Sequence, residues 1–298
     1  MSHLRVGARG SDLSLAQTGW AVEQIRRANP GLSTEIVVIK THGDKDQHTP
    51  LAELGTTGGF VREIEVALLN REIDVAVHSL KDLPTEITKG LILAAMPVRA
   101  PVEDVLLTRD MVTLDGLPAG FVVGTSSPRR VHQLRRHAPQ IKTVPTRGNV
   151  PTRIRHLEEG KYDGVILAAA GLGRLGIDYP RKLVLPADRF LPAPGQGSLA
   201  VQTREGDPAA AVVGRVDDAA TRAAVTAERA FLRATGGGCH AALGALATVR
   251  GGEMTLVGEV FFGDRAVRDQ VQGPIAKAEE LGGQLAAKLV PTGDLGAR

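Results

Sequence analysis

The sequence predicts an α/β protein made of two similar domains followed by a small α+β domain. Three observations carry this. The chain has 298 residues, 43% of them hydrophobic, which is length for about two domains and enough apolar side chain for more than one core. Patterns in roughly the first hundred residues recur in the same order in the second hundred. After Asp188 the chain changes character, passing through a Pro/Gly-rich crossing into a third kind of unit.

The first element is read from "LRVGARGSDLSLAQ" (4–17). A short apolar strand meets a glycine turn, Ser11 and Asp12 are candidate N-caps, and an amphipathic helix runs to about Arg27. Residues 121–134, "FVVGTSSPRRVHQL", repeat that plan, with Ser126 or Ser127 as N-cap and Pro128 at the favoured first helical position. The strand-and-turn "VIKTHGD" (38–44) is answered by "VPTRGNV" (144–150), and "EIDVAVHS" (72–79) by "KYDGVILA" (161–168). Three matches in one order argue for duplicated domains of about 100 residues.

Beyond the repeat, "RFLPAPGQGSLAVQTR" (189–204) is a Pro/Gly crossing followed by a strand, a connection able to return to the first domain. From Ala219 a helix spans "TRAAVTAERAFLRA". The "TGGGCH" loop follows, then strands near "ALGALATV", "EMTLVGEVFF" and "RAVRDQVQ", and a helix over about 275–290. The expected domains are 1–98 with 197–217, then 99–196, then 218–298.

Composition narrows the function. A single cysteine excludes an internal disulfide framework and any multi-cysteine zinc or iron–sulfur site. The N-terminus lacks the apolar run of a signal peptide, and no stretch approaches the length of a membrane span, so the expectation is a soluble cytoplasmic protein without a membrane partner. Net charge is only +3, yet Arg129, Arg130, Arg135, Arg136, Arg147, Arg153, Arg155 and Arg174 fall in one stretch. The guanidinium fork suits planar anions. Aromatic content of 3% offers few stacking platforms for nucleic acid, so a smaller polyanion is expected. In open α/β sheets ligands sit beyond the carboxyl ends of the strands, at helix N-termini, which is where "VGARGS" and "VGTSSPRR" fall.

Local motifs sharpen the picture. "GLGRLG" (171–176) matches G-x-G-x-x-G, but Pro180 and Pro186 follow, and no acidic residue ends a strand about 20 residues on, so a dinucleotide site is rejected. "THGDKDQH" (41–48) has no metal-ligand spacing and reads as a polar loop, so no metal is expected. "LGTTGGF" (54–60) is Gly-rich enough for a mobile flap. "HSLKDLP" (78–84) follows the strand "DVAV" and has two readings: an ordinary Lys/Asp loop, or, because a carboxylate at the C-terminal end of an α/β strand can stabilise a developing cation and move protons, a catalytic place for Asp82. Cys239 follows three glycines, which leave little bulk around its sulfur, although a lone cysteine is more often a small buried hydrophobe.

Taken together and in order, "HSLKDLP", "GTSSPRR", "RGNVPTR", "AAAGLGRLG", "LPAPGQG", "TAERAFL" and "GGGCH" closely resemble the porphobilinogen deaminase (hydroxymethylbilane synthase) family over nearly the whole chain. The resemblance implies two domains like those of type II periplasmic binding proteins and a third carrying the cysteine. It implies head-to-tail joining of four porphobilinogen molecules with loss of ammonia. It also implies a dipyrromethane cofactor held by a thioether to Cys239, with Asp82 as the catalytic aspartate that stabilises the azafulvenium cation. Lys81, Ser127, Arg129 and Arg130 match positions holding the cofactor's acidic side chains. Arg9, Ser11, Gln17, Arg147, Arg153, Arg174 and Gln196 match positions handling substrate and the growing chain. The sequence departs from the family at the flap, where Thr57 stands at the usual lysine, and ahead of it, where Glu53 takes an often basic position and His42 stands where many members have arginine. The other reading is a non-catalytic, two-lobed carboxylate-binding protein, which gives Cys239 and Asp82 no role. A monomer is expected.

Overall fold

The computed structural model describes residues 1–39, 61–236, 242–263 and 265–290. Its first compact unit comprises Met1–Ala100 with Gly197–Arg222. Strand β1 (His3–Arg9) leads into α1 (Asp12–Ala28), then β2 (Ser33–Ile39), α2 (Arg62–Leu69), β3 (Val75–Ser79) and β4 (Leu91–Ala95). Ser11 is the N-cap of α1, its side chain accepting from the Ser14 amide. β1 pairs in parallel with β2 and β3. Because side chains alternate along a strand, Val75 and Val77 join Leu4, Val6 and Ile25 in one core while Ala76 joins Ile64, Leu68 and Ile73 in another. The sheet is thus covered on both faces, by α1 and by α2.

The second unit comprises Pro101–Gln196 with Ala223–Arg298. It contains β5 (Asp104–Thr108), β6 (Val122–Gly124), α3 (Pro128–His137), β7 (Lys142–Val144), α4 (Val150–Glu158), β8 (Gly164–Ala168), α5 (Ala169–Arg174) and β9 (Lys182–Leu185). Its sheet order is β7-β6-β8-β5-β9, with β6 parallel to β7 and β8 and β5 antiparallel to β8 and β9. Gly124 closes β6 because a Cβ there would lie 2.7 Å from the ring of Tyr162.

After the Pro/Gly crossing, β10 (Leu199–Arg204) returns to the first sheet and pairs antiparallel with both β3 and β4. The first sheet then reads β2-β1-β3-β10-β4. Each sheet therefore has three parallel strands, an inverted fourth and an outer fifth, the duplication expected from the sequence repeat. The inverted strand opens the second domain but closes the first. Helix α6 (Pro208–Val213) follows β10.

The C-terminal region is the expected α+β unit. Helix α7 (Ala219–Ala234) precedes the antiparallel meander β11 (Leu243–Arg250), β12 (Glu253–Phe262) and β13 (Arg265–Pro274), and α8 (Ala278–Leu289) completes it. It has its own core around Phe231, Leu256, Leu281 and Leu285. The helices approach closely at Gly282, where a Cβ would lie 2.5 Å from the Ala227 carbonyl oxygen.

Candidate active site

Parallel strands put their carboxyl ends at one edge of a sheet. In the first unit that edge carries Arg9 at the end of β1, Ser11 capping α1, and the turn that follows β3. Leu80–Asp82 forms one turn of 3-10 helix. Leu80 and Leu83 are buried at its two ends, the Leu80 amide donates to the Ser198 carbonyl at 3.0 Å, and the Leu83 amide closes back on Leu80 at 3.1 Å. The buried leucines fix the turn and leave Lys81 half-buried and Asp82 exposed between them. Gln17, buried on α1, exchanges hydrogen bonds with the Ser79 hydroxyl at 2.8 and 3.0 Å. That pins the helix of Gln17 to the strand end bearing Asp82.

Behind the turn lies a polar chain that sequence reading did not find. Gln202 Nε2 donates to Glu65 Oε1 at 2.8 Å, and the Thr88 hydroxyl donates to Glu65 Oε2 at 2.6 Å. The Gln202 carbonyl oxygen is therefore the acceptor that faces His78 Nε2 at 2.9 Å, and the proton of that bond belongs to His78. Burial holds the His78 imidazole below its ordinary pKa, against opposing influences from Gln202, Glu65 and Asp82. Burial thus favours the neutral ring, and the hydrogen bond to Gln202 puts its proton on Nε2.

In the second unit the corresponding edge carries the Thr125–Ser127 turn, the Arg147–Asn149 turn and α5. Ser127 caps α3 and Pro128 begins it. The Ser126 hydroxyl joins this turn to the next, donating to the Thr146 carbonyl at 2.8 Å and accepting from the Thr146 amide at 3.0 Å. Arg147 is exposed and Arg153 half-buried, with Arg153 Nε on the Gly148 carbonyl at 2.9 Å. Arg174 ends α5, and burial lowers its pKa to about 10. The glycines of "GLGRLG" fall within and just after this six-residue helix, rather than in a strand-to-helix phosphate turn.

Three predicted residues, Arg129, Arg130 and Gln196, converge on one side chain that sequence reading missed. Asp104 opens β5 and is 1% exposed. It accepts from Arg129 Nη2 at 2.8 Å, from Arg130 Nε and Nη2 at 3.1 and 2.7 Å, and from Gln196 Nε2 at 2.9 Å. Arg129 also donates to Gln133 Oε1 at 2.9 Å and the Leu191 carbonyl at 2.7 Å. Burial depresses the Arg129 pKa and Asp104 opposes the shift. The only available signal was an aspartate at the head of the apolar run "DVLLT", a pattern that also fits a solvated strand end.

Cys239 lies outside the described residues, as do His42, Glu53, Thr57 and the flap and "THGDKDQH" segments. Among the described residues no cluster of His, Cys, Asp or Glu is arranged to hold a metal, and no helix is long and apolar enough to cross a membrane.

The donor set suits an organic polyacid. Two guanidiniums share one carboxylate at Asp104, leaving a net positive charge, and half-buried Arg153 and Arg174 stand on the same edge of the sheet. Sister α/β domains carry arginines and capped helix starts at their strand ends, and one of them an exposed aspartate, an arrangement chemically suited to carboxylate groups. The family model "Porphobilinogen deaminase, dipyromethane cofactor binding domain" matches residues 4–212, and "Porphobilinogen deaminase, C-terminal domain" matches 222–291. The porphobilinogen deaminase of Desulforudis audaxviator is 44% identical over 291 residues, covering 97% of this chain and 94% of the relative. That of Syntrophus aciditrophicus is 43% identical over 293 residues, covering 97% and 96%. Among solved structures, the methionine binding protein MetQ is similar at 14% identity with a TM-score of 0.46, over 72% of this chain and 88% of that one. The chain belongs to the porphobilinogen deaminase family.

Proposed function

We propose that the chain is a hydroxymethylbilane synthase, joining four porphobilinogen molecules head to tail with release of one ammonia per unit. The observation that carries this is the family match, which runs through both α/β domains and the C-terminal domain. Asp82 is the catalytic carboxylate in this reading. Its exposed place between two anchored leucines lets it meet the pyrrole N–H groups of a substrate. There it stabilises the cation left when the substrate's C–N bond breaks and ammonia departs, and it assists removal of the ring proton after the new C–C bond forms. Arg9, Ser11, Gln17, Arg147, Arg153, Arg174 and Gln196 orient the acetate and propionate groups of substrate and product.

Cys239 anchors the dipyrromethane, and Lys81, Ser127, Arg129 and Arg130 hold its acidic arms. When bound, that group supplies the pyrrole carbon on which the chain grows. The separate cores of the two α/β regions and the C-terminal region support domains 1–98 with 197–217, 99–196 and 218–298. The reading includes a cytoplasmic monomer that binds no nucleic acid. Following ammonia and porphobilinogen together tests the function: one ammonia should appear per porphobilinogen consumed, with a linear tetrapyrrole as product. Binding without ammonia release would favour the non-catalytic carboxylate-binding protein.

A further inference from the structure

We propose that Gln133 and Glu259 are positioning residues that set the Arg129–Arg130 pair from the C-terminal sheet. The inference rests on the reading that this pair holds the acidic arms of the dipyrromethane. Gln133 and Glu259 are both fully buried. Gln133 Oε1 accepts from Arg129, so its amide nitrogen must face the other way, and there it donates to the Leu191 carbonyl at 2.9 Å and to Glu259 Oε2 at 3.3 Å. Glu259 also receives Arg136 Nη1 at 3.0 Å. An unbroken line of hydrogen bonds thus runs from β12 through Gln133 and Arg129 to Asp104 and Arg130.

Packing alone does not require a carboxylate at this place. The contact between α3 and β12 already has His132 stacked on Phe261, with ring centres 5.2 Å apart, and an apolar side chain would bury more cheaply than a charge. What the carboxylate adds is direction, a fixed acceptor that holds the Gln133 amide one way round. The strand pairing gives this direction a purpose. Glu259 pairs with Gly244, and Gly244 is five residues beyond Cys239 in the sequence. Gly244 in turn lies against Leu191, where an added Cβ would come within 2.8 Å of the carbonyl oxygen shared by Arg129 and Gln133. The strand that follows the anchoring cysteine and the guanidiniums that receive the acidic arms are registered on the same few atoms.

The test is cofactor capture. Apo-protein of the natural chain and of Gln133→Met, Glu259→Met and Glu259→Gln is incubated with porphobilinogen, and intact mass records the rate at which each gains the cofactor. Melting temperature is followed in parallel. Both methionine variants should fold but melt below the natural chain, because each leaves a buried polar partner unpaired, and at a temperature where all are folded they should capture about tenfold more slowly, the effect of losing a charge-assisted hydrogen bond. Glu259→Gln, whose carbonyl still accepts from Gln133, should capture within about twofold. Unchanged capture in folded methionine variants overturns the proposal. If those variants do not fold, Glu259→Asp decides: it keeps the charge but withdraws it from Gln133, so slow capture supports the proposal and normal capture overturns it. Arg130→Leu separates this from the underlying reading. Slow capture in Arg130→Leu with normal capture in the others defeats the positioning role alone, whereas normal capture in Arg130→Leu defeats the assignment of the arginine pair.

Discussion

Arg130 grips Asp104 with a two-pronged contact, Nε to Oδ2 at 3.1 Å and Nη2 to Oδ1 at 2.7 Å. Arg129 and Gln196 add a third and a fourth bond to the same carboxylate. One buried anion therefore organises three side chains drawn from α3 and from the Pro/Gly crossing, beside the strand ends of the second sheet.

Removing that anion should be costly. In Asp104→Ala, Arg129 and Arg130 remain buried without their counter-charge, and the expected loss is about 3–5 kcal/mol. Urea denaturation of the two chains measures it. A variant as stable as the natural chain would show that the guanidiniums find compensation elsewhere.

Asp82 should behave in the opposite way. It is exposed, on a turn fixed by Leu80 and Leu83, so Asp82→Ala should change stability by less than about 0.5 kcal/mol. Turnover should fall on the order of 100- to 1,000-fold, the scale of losing one electrostatic stabiliser of a transition state. Steady-state ammonia release together with a melting curve checks both halves, and near-normal release would remove Asp82 from the chemistry.

His78 predicts a pH dependence. Burial lowers its folded pKa below the ordinary value of 6.5, so in acid the unfolded chain takes up a proton that the folded chain refuses. The stability due to neutral His78 is complete above about pH 6.5 and is lost as pH falls toward the folded pKa. His78→Gln should flatten the acid decline in stability by up to about 1.4 kcal/mol per pH unit. His137, also shifted down chiefly by burial, keeps its own share in that variant. Denaturation midpoints across about pH 5 to 7.5 measure the slope, and identical slopes would place the His78 proton elsewhere.

The parts of this fold visible in the sequence are those with local causes. Ser11 caps α1 and Pro128 opens α3 because their own side chains satisfy or forgo the first amides of the helix. The return of β10 to the first sheet was legible from the Pro/Gly crossing before it. β5 was not: all five of its residues are buried, so it shows none of the alternation that marks a half-buried strand. The site divides along the same line. Asp82 sits on a turn that its neighbours define, whereas Asp104, Gln133 and Glu259 acquire their roles from partners up to 126 residues away. Each reads in the sequence as an ordinary polar residue. Clustered arginine pointed to an external anion, whereas the anion that Arg129 and Arg130 meet within the fold is internal, Asp104.

The central claim is that this chain builds tetrapyrrole on a group attached to its single cysteine, Cys239. Intact-mass measurement of the protein made in cells that produce porphobilinogen tests it most directly. The account predicts a mass exceeding the sequence by two pyrrole units, with the excess lost in Cys239→Ser together with turnover. An unmodified natural chain, or an excess that survives in Cys239→Ser, would contradict it.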